Sequence, residues 1–152
     1  MNLEVRNFTK DKINKKLFLE VAEKTFKILS IKDKIEISLV FIGNGRMKKL
    51  NKIYRGKNQV TDVLAFPEGS YPKFIVPKNF RNFLGEIIIC YPRAKKQAEE
   101  FGHSLFKELT ILLIHAILHL VGYEDSPGKN RQRMETKQNE ILSILENIKI
   151  KN

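Results

Sequence analysis

The segment from Ser104 to Gly122, SLFKELTILLIHAILHLVG, constrains the fold more than any other part of the chain. Ser104 is a good N-cap and Gly122 a natural stop just past a C-terminus. Between them lies a helix that is apolar nearly all round, and such a helix must be buried. Its long apolar run, Leu109 to Val121, is interrupted by Thr110, His115 and His119 and is too short to cross a bilayer. The segment therefore predicts a core helix of a globular domain, with no membrane association.

The rest of the chain supplies what covers it. Apolar residues at Ile13, Leu17, Val21 and Phe26 predict an amphipathic helix over 13–29. Residues 35–42, IEISLVFI, pass from alternation to a continuous apolar run and read as a strand buried on at least one face. A second helix is predicted over about 46–55, with Met47, Leu50 and Tyr54 inward and the lysines outward. TDVLAFP (61–67) reads as a short strand, 68–82 as a loop or irregular hairpin, and 84–90 as a third, central strand. Pro92 opens a helix that Gly102 closes, and an amphipathic helix is predicted over 130–148. Helices and strands mingle without regular βαβ alternation. The expected fold is α+β: one domain spanning 1–152, a sandwich of a small mixed β-sheet with packed helices and one buried metal-binding helix.

Charge narrows the partners. Of 152 residues, 28 are Lys or Arg and 17 Asp or Glu, a net charge of +11 that favours polyanions, nucleic acid foremost. A lysine-rich composition alone also produces such a figure, so distribution matters more. Arg46, Lys48, Lys49, Lys52, Arg55 and Lys57 fall within twelve residues containing no acid, where a solvated helix face ordinarily mixes signs. The lone Cys90 suits a reducing cytoplasm and reads as a small buried hydrophobe. Residues 1–16 are mixed and polar, so no signal peptide is expected.

The chemistry concentrates in His115 to Asp125, HAILHLVGYED. Residues four apart share a helix face, so both imidazoles point the same way and can share one ion. Two histidines inside an apolar helix are expensive without a purpose, although a core histidine is often only a hydrogen-bonded one. Gly122 lets the chain reverse, bringing Asp125 back as a third ligand. Two imidazoles and a carboxylate, with a fourth position left open, is the layout of a catalytic zinc, one per chain. Glu108, seven residues before His115, falls on the same face and is a candidate partner that orients a histidine. His103 precedes the helix and has no assigned role.

HAILHLVGYED resembles the signature of the YbeY family, bacterial metal-dependent endoribonucleases of ribosomal RNA maturation, which reads roughly HGxLHLxGYDH. NKIYRG (51–56), TDVLAFP (61–67), LGEI (84–87) and Glu108-Leu109 match in the same order, so the resemblance covers about residues 35–145. The chain departs from the pattern at Asp125, where the family usually has a third histidine. It departs also at Ala116 for glycine, Glu124 for aspartate, Ala65 for serine, and Gln138 where an acid is common. An Asp third ligand is chemically sound for zinc; it lowers the positive charge of the site by one and can widen the choice of divalent metal.

The resemblance implies a zinc-dependent, single-strand-specific endoribonuclease acting at the 3′ end of 16S rRNA and in ribosome biogenesis. Its partners would be rRNA, the small ribosomal subunit and ribosomal proteins or assembly factors. It also implies that Arg55 clamps a phosphate, a role its planar fork suits. Arg46, Lys48, Lys49, Lys52 and Lys57 are expected to line the RNA path, and Phe66, Tyr71, Phe74 and Phe80 are available to stack on bases. Two routes stay open for the nucleophile: a water acidified by the metal, or the RNA 2′-OH. Two rivals also remain. A zincin-like metallopeptidase would need a general-base glutamate where Ala116 stands. A non-catalytic ribosome-binding factor would use the metal only to hold its fold.

Overall fold

The computed structural model describes residues 1–31, 34–70 and 83–148, apart from the side chain of Ile148. The loop expected over 68–82 therefore lies, from residue 71 on, outside the described residues, as do Tyr71, Phe74 and Phe80. The elements run β1 (Asn2–Asn7), α1 (Lys15–Ile28), β2 (Glu36–Ile42), α2 (Asn44–Arg55), β3 (Val63–Pro67), β4 (Phe83–Cys90), α3 (Tyr91–Phe101), α4 (Leu105–Leu120) and α5 (Lys129–Ile148). Among the described residues four strands form one mixed sheet in the order β1-β2-β4-β3. β1, β2 and β4 are parallel, and β3 runs antiparallel to β4. This is the α+β sandwich that the sequence predicts.

Both faces of the sheet are covered, and side chains alternate between them. Ile37, Leu39 and Phe41 of β2 and Ile87 and Ile89 of β4 join α1, α4 and α5 in the larger core. Val40, Ile42, Ile88 and Cys90 point the other way, to Met47 and Leu50 of α2 and to Leu64 and Phe66 of β3. Double burial explains why β2 and β4 read as near-continuous apolar runs. On the larger side Leu113, Ile114, Ile117 and Leu118 of α4 are fully buried. Among the described residues no single helix is long and apolar enough to cross a membrane.

Three expectations need correction. Among the described residues the sheet has four strands, not three: β1 was not foreseen, although Leu3 and Val5 alternate with polar neighbours and are buried. Tyr54 does not turn inward. It is 39% exposed at the end of α2 and rests edge-on against Phe66, with ring centroids 5.8 Å apart. The inward face of α1 runs through Phe18, Val21, Ala22, Thr25 and Phe26, leaving Leu17 only partly covered.

One glycine sets how closely α4 approaches the sheet. A Cβ on Gly85 would stand 2.3 Å from the Phe66 carbonyl oxygen and 2.7 Å from Cδ2 of Leu120. Only a residue without a side chain lets the last turn of α4 settle onto β4 there. That turn carries His119.

Candidate metal centre

α4 begins where the sequence places it. The Ser104 hydroxyl accepts the Lys107 backbone N–H at 3.1 Å, and Glu108 sits in the first turn. Its end is closed by a Schellman arrangement: Gly122 N–H donates to the His119 carbonyl at 3.1 Å and Tyr123 N–H to the Leu118 carbonyl at 2.9 Å. Gly122 takes φ 106°, a conformation that glycine reaches without strain. The chain so reverses and returns toward the helix with Asp125.

The result is a cluster of three ligand-bearing side chains. One donor atom from each of His115, His119 and Asp125 lies within 4.8 Å of the other two. The imidazole centroids are 5.0 Å apart and the rings meet edge to face. Ligands of a tetrahedral zinc with bonds of about 2.0–2.1 Å stand roughly 3.4 Å from one another, so small side-chain rotations close the cluster on an ion. Asp125, with a side chain 44% exposed and one oxygen 3.4 Å from Nε of Arg131, has room for that adjustment with its other oxygen, while the helix fixes the backbone of the histidines. The donor set, two nitrogens and an oxygen, fits zinc and other borderline divalent cations.

The protonation of the cluster suits ligation. Burial pushes the His119 pKa below its ordinary value of 6.5; His115 and Arg55 push it further the same way, and Asp125 partly opposes them. His119 is thus neutral at neutral pH, the form that donates to a metal. The other ring has its own restraint: Nδ1 of His115 lies 2.9 Å from Oε1 of Gln138 on α5, so Nε2 is the nitrogen left for an ion.

The remaining candidates divide into near and far. Arg55, exposed in the last turn of α2, stands close enough for its charge to act on His119. Lys48, Lys49, Lys52 and Lys57 are exposed on α2 or just past its end. Arg46 is also exposed and holds its guanidinium 4.6 Å over the ring of Phe8. Glu108 is buried, but its partners are not the cluster imidazoles. Oε2 accepts from Gln97 at 2.8 Å, and Oε1 lies 2.7 Å from Nε2 of His103. Asp62 joins the same network, accepting from Gln97 at 3.2 Å and from the Val63 backbone N–H at 2.7 Å, so it shapes the start of β3. Sequence reasoning missed two partners of the cluster, Gln138 and Arg131. The signal for Gln138 was its place on the stripe of Met134, Ile141 and Leu145, all buried.

Comparison with known proteins places the chain among relatives of similar sequence and fold. A family model described as Endoribonuclease YbeY matches residues 2–146. The chain is 42% identical over 129 residues to an Endoribonuclease YbeY of Bacillus cereus, covering 83% of each chain. It is 40% identical over 126 residues to that of Bacillus cytotoxicus, covering 81% of each. The solution structure of a Thermotoga maritima protein superposes with a TM-score of 0.59 at 25% identity, covering 99% of this chain and 95% of that one.

Proposed function

The chain belongs to the YbeY family of endoribonucleases, and from that premise we propose that it is a zinc-dependent, single-strand-specific endoribonuclease of rRNA maturation. Its substrate in this reading is the 3′ end of 16S rRNA on the small ribosomal subunit, in the cytoplasm, with 1–152 acting as one domain. The observation that carries the metal half is the cluster of His115, His119 and Asp125 within 4.8 Å. The observation that carries the phosphate half is Arg55 within electrostatic reach of that cluster.

His115, His119 and Asp125 would hold a divalent cation, which would supply Lewis acidity toward a water or a phosphoryl oxygen. The protein's own groups do the rest. Two neutral imidazoles and one carboxylate leave a site with a +2 ion at +1, and Arg55 adds a further positive charge beside it. Such a site attracts a phosphodiester, and the guanidinium can grip two of its oxygens as charge develops in the transition state. Lys48, Lys49, Lys52 and Lys57, with Arg46, extend positive charge along α2 for the flanking backbone. The one carboxylate on α4, Glu108, is held by Gln97 and His103, and Ala116 stands where a zincin's catalytic glutamate would be. Both facts favour RNA over peptide hydrolysis.

The test is to incubate zinc-loaded protein with unstructured RNA and with casein at several ionic strengths. The reading expects RNA products, with affinity falling steeply with salt at a log–log slope of roughly −0.7 per phosphate contacted. The triple reversal of Lys48, Lys49 and Lys52 to Glu flattens the slope and leaves zinc content unchanged. Casein fragments without RNA products would assign a metallopeptidase, and neither product would assign a non-catalytic factor.

A further inference from the structure

The metal cluster belongs to α4 and its closing turn, yet its contacts from behind come from α5. Gln138 meets Nδ1 of His115 at 2.9 Å. Arg131, seven residues earlier and so on the same side of the helix, places Nε 3.4 Å from Oδ1 of Asp125 and Nη2 3.3 Å from the Asp125 carbonyl. Its neighbour Asn130 donates to Glu124 Oε2 at 3.2 Å and to Ser126 Oγ at 2.9 Å, so the residues on both sides of Asp125 are tied to the first turn of α5 as well.

The ion pair among these contacts does little for the fold. The Arg131–Asp125 pair is about half exposed on both sides, and ion pairs of that kind add little stability. Their geometry, however, matters to a ligand. An imidazole that donates from Nδ1 must carry its lone pair on Nε2. A carboxylate that gives one oxygen to a guanidinium keeps the other for an ion. An amide is also a neutral acceptor, so it fixes the ring without cancelling positive charge that an anionic substrate needs.

We propose that α5 is the positioning helix of the metal site: Gln138 locks His115 as the Nδ1–H tautomer, and Arg131 and Asn130 hold the 124–126 turn so that Asp125 faces the imidazoles. This rests on the metal assignment above, which the experiment separates from it. The first readout needs no metal. In chelator-treated protein, nitrogen-15 NMR of the imidazoles shows His115 as the Nδ1–H form, and Gln138→Leu shifts it to a mixture of tautomers. The second readout is competitive titration of zinc against a chromophoric chelator. Gln138→Leu and Arg131→Met each weaken zinc binding about 10–100-fold, while Gln138→Glu and Arg131→Lys recover most of it. Thermal unfolding of the metal-free variants stays close to that of the parent, which a merely structural role would not allow. An Nε2–H tautomer in the parent, or zinc affinities unchanged in both variants, overturns the proposal. A parent that binds no zinc overturns the metal assignment itself, and the positioning role with it.

Discussion

Gly85→Ala tests how the fold sets the site. The added methyl carbon would lie 2.3 Å from the Phe66 carbonyl oxygen, 2.7 Å from Cδ2 of Leu120 and 3.0 Å from Cα of Pro67. Two of these neighbours are backbone atoms of β3, so no rotamer change relieves them. Gly85 also holds φ 153°, a region that L-residues rarely occupy. Overpacking and backbone strain each cost about 1–3 kcal/mol, so a loss near 3 kcal/mol is a conservative sum. For a chain of this size that lowers Tm by roughly 6–12 °C in a thermal unfolding experiment. The effect should reach function too, because Leu120 adjoins His119 and its displacement tilts the last turn of α4. Zinc affinity of the folded variant should therefore fall together with Tm. A variant with Tm within about 2 °C of the parent and the same zinc affinity would refute the reasoning.

Asp125→Ala should abolish tight zinc binding while the protein stays folded, since Asp125 is exposed; Asp125→His should keep the metal, and elemental analysis decides both. Arg55→Lys should keep most of the RNA affinity but lose roughly 10–100-fold in kcat, because the point charge remains while the fork is gone. The His119 pKa lies below 6.5 in the folded chain, so between the two values the unfolded chain binds more protons. Stability of the metal-free protein should then fall as pH drops through 6.5 and level off below the folded value, and His119→Gln should flatten that dependence in pH-resolved melts.

The buried helix and its two imidazoles were legible because both signals are local. An apolar face all round forces burial, and a four-residue spacing forces a shared face. The closing turn was legible for the same reason, since Gly122 marks the reversal that returns Asp125. β1 escaped notice because Leu3 and Val5 are only two apolar positions in a polar stretch, and the strand exists through its ladder with β2. Tyr54 follows the inward periodicity of α2, but the helix ends there and the ring leans edge-on against Phe66. Glu108 shares a helix face with His115, yet seven residues at about 1.5 Å each separate the two along the axis. At that distance Gln97 and His103 claim its carboxylate, and no helical wheel contains them. Gln138 lies on the buried stripe of α5, but which residue it meets, like the partner of Arg131, is set by the packing of α5 on α4, which local pattern does not encode.

The central claim, that one ion held by His115, His119 and Asp125 makes this chain an endoribonuclease, is tested most directly by a metal titration of the stripped protein. Chelator-treated protein is mixed with a single-stranded RNA oligonucleotide, zinc is added stepwise, and cleavage is read against bound metal. The account predicts no cleavage without metal, activity rising linearly to one zinc per chain, and none at any zinc level in a folded His119→Ala variant. Full cleavage by the stripped protein, or by His119→Ala, would contradict it.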